Sequence, residues 1–231
     1  ELSKRNYSYR GFVKSDLFVK NPEVAVWMKK AGFNEVLTGV ESGSERILRD
    51  HLHKKTSPEL NYNAAMICLE NDIDFKALTM LGHVSETPKD AMDTRDWLLR
   101  VGKEYLDKKG PGHFTFDITV FQPYAGCPIW DRATKNKGEF SDKFKWTYFS
   151  KDTSLGGIYF NKVDFSQEQG FYKGIPGTYK SFVRTRDITE EQYPQLRDAI
   201  EFDIRDRLKM PQLKKVTTQT QFEHSMGQSG S

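Results

Sequence analysis

Val36-Leu37-Thr38-Gly39-Val40-Glu41-Ser42-Gly43-Ser44-Glu45-Arg46-Ile47-Leu48 decides the fold. Its apolar run, Val36 to Val40, ends abruptly in polar residues, and helix-like spacing resumes at Ile47 and Leu48. That order reads as a strand, a tight turn and a helix start. Gly39 and Gly43 permit a close backbone approach and a sharp turn. Ser44 is placed to cap the helix. Glu41 and Ser42 then stand at the carboxyl end of a strand, where α/β folds gather their chemistry. The same residues also suit a βα turn whose polar groups only satisfy neighbouring backbone.

Working outward, the flanking segments repeat the pattern. Arg10 to Asp16 holds a short extended stretch with Phe12 and Val13 apolar and Lys14 and Asp16 at its end. Asn21-Pro22 opens a helix whose spacing, Val24, Trp27, Met28 and Ala31, predicts a core-facing stripe ended by Gly32. Ser57-Pro58 opens a second helix with Leu60, Ala64, Ile67 and Cys68 inward, which makes Cys68 a small core residue. Ile73 to Leu81 is a nearly continuous apolar run, as a parallel strand covered on its faces requires. It ends in Gly82-His83-Val84-Ser85-Glu86, and Thr87-Pro88 opens a third helix with Trp97, Leu98 and Val101 inward. Phe114 to Phe121 is the next strand and ends in Gln122-Pro123-Tyr124. Strand ends at Lys14, Glu41, Gly82 and Gln122, each followed by helical spacing, argue a repeating βα architecture with its polar loops on one rim.

Beyond about residue 135 the pattern changes. The stretch from Phe140 to Tyr179 is aromatic, Gly-rich and irregular. Gly156 to Phe160 and Lys180 to Arg184 read as short strands, belonging to a lid over the rim or a cap on an edge. Thr189 and Gln192 form a capping box opening a last helix, with Tyr193, Leu196, Ile200, Ile204 and Leu208 inward and Pro211 beyond. The boundaries expected are 1–135, 136–210 for the extension and final helix, and 211–231 for a polar tail.

Composition narrows the class. With 37% hydrophobic and 29% charged residues, the 231-residue chain suits a soluble globular protein. A net charge of +3 supports no nucleic-acid or membrane partner by itself. No apolar stretch approaches the ~20 residues of a membrane span. Two cysteines, Cys68 and Cys127, build no disulfide framework and fit a reducing, cytoplasmic setting. The chain opens at Glu1 rather than Met, as expected of a processed protein or of a piece cut from a longer one. No CxxC, CxxxCxxC, GxSxG, P-loop or GxGxxG occurs. His51 and His53, two apart, point different ways on a helix end. Lys14, Glu41 and Glu86, with Ser hydroxyls and Gly-edged backbone, suit a zwitterionic, nucleoside-like ligand. Glu41 and Glu86 would form a carboxylate pair, or each would bind a neighbouring amide or ribose hydroxyl.

These residues resemble a known family. Ala31 to Leu48 resembles the "AG…v..G.ESGS..iL" block of radical S-adenosylmethionine (SAM) enzymes, particularly those carrying a cobalamin-binding domain. Met80-Leu81-Gly82-His83-Val84-Ser85-Glu86-Thr87 resembles the family's "lGhPgET" block, with Val84 for Pro and Ser85 for Gly. Phe121-Gln122-Pro123-Tyr124-Ala125-Gly126-Cys127-Pro128 resembles its "P.PGTp" block, with Ala125 for Pro and Cys127 for Thr. The resemblance covers about residues 10 to 135.

The resemblance implies an α/β fold: a partial TIM-like (βα) barrel holding the third to sixth parallel strands of a radical SAM barrel, plus the aromatic-rich extension with its final helix. It implies SAM, a 4Fe–4S cluster held by a CxxxCxxC loop that this chain does not contain, and cobalamin in the parent protein. Lys14, in place of a more usual Arg, and Asp16 would lie near the SAM carboxylate. Glu41, Ser42 and Ser44 would approach its amino acid and ribose. Gly82, His83 and Glu86 would lie on the adenine side, and Gln122, Pro123 and Tyr124 would bring backbone to adenine. The partners implied are a small-molecule substrate and the rest of the same protein, which, or a second copy, would cover the exposed edge of the first strand. A nucleotide- or phosphate-binding module, or an interaction protein holding a partner on its aromatic segment, stays open beside this reading.

Overall fold

The computed structural model describes residues 7–52, 54–122, 144–149, 157–161 and 180–212. Four strands, β1 (Tyr9–Phe12), β2 (Phe33–Glu41), β3 (Asp74–Leu81) and β4 (Phe114–Val120), form an all-parallel sheet in the order β1-β2-β3-β4. Helices α1 (Ser15–Lys20) and α2 (Glu23–Lys30) join β1 to β2, α3 (Pro58–Glu70) joins β2 to β3, and α4 (Pro88–Lys109) joins β3 to β4. Each strand neighbours the next in sequence, so right-handed crossovers place the helices on one face. That is the wall of a barrel rather than a doubly wound sheet. Among the described residues the wall does not close.

The pleat sorts the two faces. Val36, Val40, Phe75, Ala77, Leu81, Phe114, Phe116, Ile118 and Val120 point to the helices and form one core with Ala64, Ala65 and Cys68 of α3 and Leu98 and Val101 of α4. Each large side chain buried this way contributes roughly 1.5–3 kcal/mol. The opposite face alternates Glu35, Leu37, Gly39 and Glu41 on β2 with Lys76, Leu78 and Met80 on β3 and Asp117 on β4. It carries ion pairs Arg10–Glu35 at 2.9 Å and Lys76–Asp117 at 3.1 Å.

Local signals set the helix starts. The Ser57 hydroxyl accepts from Leu60 N at 3.0 Å, with Pro58 beginning α3. Thr87 and Asp90 make a reciprocal capping box on α4, and Gly110 at φ 87° ends that helix. The Tyr105 hydroxyl reaches Ala65 O and Ile73 O at 3.1 and 3.0 Å, riveting α4 to α3 and to the entry of β3. The last helix, α5 (Gln192–Arg207), opens on the expected box, with Thr189 N donating to Gln192 Oε1 at 2.8 Å. It buries Tyr193, Ile200, Ile204 and Leu208. Arg197 and Glu201 are buried there too: Arg197 Nε donates to Ile118 O at 3.0 Å while its other nitrogens pair with Asp198 and Glu201.

A second, antiparallel sheet, β5 (Phe144–Phe149), β6 (Gly157–Asn161) and β7 (Val183–Arg184), supplies the two short strands read from the sequence and one more. It meets the parallel sheet at its carboxyl end. Ser85 N donates to Gly157 O at 3.3 Å, and the Thr185 hydroxyl donates to Glu86 O at 2.8 Å. Ile158, Val183 and Ile188 join the common core. The expected polar tail from Thr217 and most of the aromatic segment lie outside the described residues.

Three expectations are corrected. Trp27 is 61% exposed, because the inward face of α2 centres on Ala25 with Val24 and Met28 beside it and leaves Trp27 on the flank. The stripe of α3 is rotated onto Asn61, Ala64, Ala65, Cys68 and Leu69, with Leu60 and Ile67 only half-buried. Asp16 is in the first turn of α1, a helix too short for its period to show, rather than at a strand end.

Candidate functional site

The carboxyl ends of β1 and β2 open into a groove of about 620 Å³ lined by Lys14, Ser15, Asp16, Gly39, Lys54, Thr56 and Asn61 among others. That volume suits a nucleoside-sized ligand. Lys14 precedes α1 in extended backbone, at the point where β1 ends. Asp16 pairs with Lys20 at 3.0 Å, and that hydrogen bond lowers its pKa. Glu41 closes β2 at φ 64°, a left-handed conformation unusual for a residue with a side chain. Lys54 Nζ holds it, reaching Glu41 Oε1 at 2.7 Å and Gly39 O at 2.8 Å. Behind them, Asn61 is 1% exposed; its Oδ1 accepts from the Thr56 hydroxyl at 3.0 Å, and its Nδ2 has no partner among the described residues. The Ser15 hydroxyl is likewise buried without a partner. A buried donor without an acceptor costs about 1–3 kcal/mol, which ligand-binding sites tolerate more than cores do.

Ser42 and Ser44 turn the other way. The Ser42 and Thr94 hydroxyls share a hydrogen bond at 3.2 Å, Gly43 N donates to Thr94 Oγ1 at 3.0 Å, and Ser44 Oγ donates to Asp90 at 2.6 Å. A side chain at position 43 would press on Thr94 Cα at 2.7 Å, so the turn and α4 touch only because Gly43 is there. Arg46 completes this knot by pairing with Asp90 and donating to Ser85 O at 2.9 Å. Burial opposes ionisation of Asp90, but hydrogen bonds from Arg46, Ser44 and Thr87 outweigh it and hold its pKa at about 2. A π-helical turn, Ile47–His51, widens the chain here and brings His51 Nε2 within 3.0 Å of the Ser85 hydroxyl.

The loop after β3 is wholly buried from Gly82 to Glu86. Gly82, at φ 89°, donates its N–H to Glu86 Oε2 at 2.7 Å. Of the two roles read for Glu86, the structure has it binding a backbone amide, while Glu41 is taken by Lys54; the two carboxylates have separate partners. Burial pushes Glu86 up to about 8 and His83 down to about 4. Gln122 is buried just past β4, and Pro123 and Tyr124 lie outside the described residues. The sequence-derived residues therefore fall into an open groove (Lys14, Asp16) with Glu41 beside it on the groove's Lys54, a turn locked to α4 (Ser42, Ser44) and a buried loop (Gly82, His83, Glu86).

Sequence reading missed Lys54, Lys55, Thr56, Ser15 and Asn61. A Lys-Lys-Thr run directly before a cap-then-proline helix start, in a loop after a parallel strand, was the available signal. Cys68 is a core residue as expected, its thiol pushed up to about 12 by burial. No group of metal-ligating side chains is assembled among the described residues, and no described helix is long and apolar enough to cross a membrane.

No family model and no curated protein matches the chain. Among solved structures it is similar to OxsB, a cobalamin-dependent S-adenosylmethionine radical enzyme, at 21% identity and TM-score 0.38 over 44% of this chain and 16% of that one. It is similar also to TsrM, a radical S-adenosylmethionine methyltransferase from Kitasatospora setae described with cobalamin and a 4Fe–4S cluster, at 16% identity and TM-score 0.45 over 67% of this chain and 26% of that one. The chain thus spans about a quarter or less of these structures. Both likenesses are partial.

Proposed function

We propose that this chain is part of a radical SAM enzyme and supplies the strand-end groove that receives the amino-acid end of SAM. The observation that carries it is the groove, which offers both signs of charge beside a buried, unpaired amide donor at Asn61. A SAM carboxylate would be met by Lys14 and Lys54, and its ammonium by Glu41 and Asp16, each a charge-assisted contact. Gly39, with no side chain, leaves the backbone of β2 open to the ligand. The three sequence blocks support this identity, since their order along the chain is the order of strands β2, β3 and β4.

SAM, once reductively cleaved, supplies a 5′-deoxyadenosyl radical. The residues present do not fit the cluster that would deliver the electron. Three thiolates are required, and the chain has two cysteines, one of them Cys68 inside the core. On this reading the cluster loop belongs to another part of the protein, and no redox step is assigned to this chain. Its own residues bind and orient the cofactor. β6 and β7, packed on the loop after β3, belong to the substrate lid.

The parent protein would also supply the covering partner of β1. Tyr7, Phe12, Leu17, Val26 and Trp27 are five of the six exposed large hydrophobics among the described residues, all near the free edge of the sheet. A further βα segment of the same polypeptide fits that edge. The chain alone should self-associate in sedimentation experiments and Phe12→Lys should reduce this; a monomer with protected amides along β1 argues against the idea.

Calorimetric titration tests the main reading. SAM should bind, and 5′-methylthioadenosine, which lacks the zwitterionic end, should bind at least about tenfold more weakly, the equivalent of one good polar contact. Three groove lysines, Lys14, Lys54 and Lys55, keep a second reading alive, in which the groove takes a phosphate. ADP binding more tightly than SAM would favour that module.

A further inference from the structure

The end of β2 and the loop before α3 meet through one ion pair at the edge of the groove. Between the pairings Gly39–Leu78 and Glu41–Thr79, β2 takes two steps where β3 takes one, so the strand bulges just before it ends. Glu41 leaves the bulge at φ 64°, and its side chain folds back over Gly39: a Cβ at position 39 would stand 2.7 Å from Glu41 Oε1 and 3.3 Å from Lys54 Nζ. The space left by that glycine seats the pair. Lys54 Nζ donates to Glu41 Oε1 at 2.7 Å and to Gly39 O at 2.8 Å. The Lys54 and Glu41 side chains are 38% and 29% exposed, open enough for a ligand to compete for either. Two residues on, the Thr56 hydroxyl holds Asn61 by its Oδ1 and leaves Nδ2 without an acceptor among the described residues. Lys54, Thr56 and Asn61 all line the groove, and so does Ser15, whose buried hydroxyl has no partner there either. Asp16 is already held by Lys20. The groove wall thus offers donors, and its rim holds a carboxylate and an ammonium that neutralise each other.

We propose that Glu41 and Lys54 form an exchange clamp, which makes the groove selective for a group carrying both an ammonium and a carboxylate. This rests on the reading that the groove receives the amino-acid end of a ligand, and it names what sets the selectivity. The ligand carboxylate takes Lys54, with Asn61 Nδ2 and the Ser15 hydroxyl as further donors, and the ligand ammonium takes Glu41. Two charge-assisted contacts replace one, and no charge is left alone. A carboxylate without an ammonium draws Lys54 away and strands Glu41. An ammonium without a carboxylate takes Glu41 and strands Lys54. Gly39 O, the second acceptor of Lys54, keeps that side chain at the groove while it changes partner.

An exchange clamp has a signature that two independent contacts lack. Glu41→Gln frees Lys54 beforehand, so a carboxylate lacking the amine should bind the variant more tightly than the wild type. Lys54→Met frees Glu41, so an amine lacking the carboxylate should gain in the same way. Each gain should be about threefold, the strength of an exposed ion pair that no longer has to be broken. The zwitterion should lose about tenfold in both variants, the equivalent of one good polar contact.

Amide shifts of the full chain, titrated with L-methionine, 4-methylthiobutanoate (no amine) and 3-methylthiopropylamine (no carboxylate), measure these affinities. In the wild type, methionine should bind tightest and shift both Glu41 and Lys54. Asp16→Asn removes the same charge from the groove without releasing Lys54, and should give the carboxylate a smaller gain than Glu41→Gln. The clamp is overturned if methionine shifts neither Glu41 nor Lys54, if it binds no better than the singly charged compounds, or if Asp16→Asn and Glu41→Gln give equal gains. SAM binding without the crossed gains removes the clamp and leaves the SAM reading in place. Crossed gains with methionine but no SAM binding keep the clamp and remove the SAM reading.

Discussion

The two ends of the parallel sheet treat their polar groups differently. At the amino end, Asp72 pairs with Lys29 and Lys109, each at 2.8 Å, and Asp74 pairs with Lys109 at 2.7 Å and His113 at 2.8 Å. Every charge there has a local partner. At the carboxyl end, Asn61 Nδ2, Ser15 Oγ, His83 Nε2 and Glu86 Oε1 are buried without partners among the described residues. Both ends are made by the same strands and helices, so the contrast is not one of fold quality. The amino end ties loops down, whereas the carboxyl end retains unsatisfied groups, as a βα fold does where it keeps its chemistry.

The sharpest way to break the contrast is to disturb the turn that builds the carboxyl end. Gly43→Ala forces a Cβ onto the Asp93–Thr94 backbone of α4. It should cost about 2–3 kcal/mol in urea unfolding, the upper range for overpacking. A change under about 0.5 kcal/mol would mean the turn is not seated on α4 as described. Next in size is a crossed comparison. Glu41→Gln and Lys54→Met should weaken SAM binding by about tenfold each while leaving stability nearly intact, as expected for half-exposed groups. Lys109→Met at the amino end should do the reverse, costing about 1 kcal/mol of stability and leaving binding unchanged. If all three variants affected binding alike, the two ends would not differ in role.

Tyr105→Phe removes one hydroxyl donor and leaves Ala65 O and Ile73 O to other partners. Thermal unfolding should report a loss of about 1 kcal/mol, typical of a buried hydrogen bond. The smallest effect concerns acid. Hydrogen bonds from Lys109 and Lys29 hold Asp72 at about 2. Because its folded pKa lies below the unfolded one, its contribution is complete above the ordinary aspartate range and disappears as pH falls through about 2. Asp72→Asn should flatten that part of the acid-unfolding curve; an unchanged curve would show that Asp72 pairs too loosely to matter.

Legibility in the sequence followed contact range. Ser57-Pro58, Thr87-Pro88 and the Thr189–Gln192 box marked three helix starts correctly because a cap involves residues three apart. The apolar runs at Val36–Val40 and Ala77–Leu81 gave the parallel strands because both of their ends are punctuated by polar residues. The period of α2 was visible but its phase was not, since Trp27 and Met28 compete for one face and only the sheet edge decides between them. In the candidate site, Lys14 and Glu41 were read from their place after strands. Lys54 was not, because its link to Glu41 crosses the groove through a π-helical turn that no spacing announces. The burial of Glu86 was equally hidden, depending on Thr185 and Tyr193 about a hundred residues downstream.

The central claim, that the carboxyl end of this sheet receives SAM, is tested most directly by titrating SAM into the isotope-labelled chain and following its backbone amides. Saturable shifts should appear at Lys14 to Asp16, Gly39 to Ser42 and Lys54 to Asn61, and should be absent at Asp72, Asp74 and His113. Saturation with no shifts in the groove, or shifts centred on the amino-end cluster, would contradict the account.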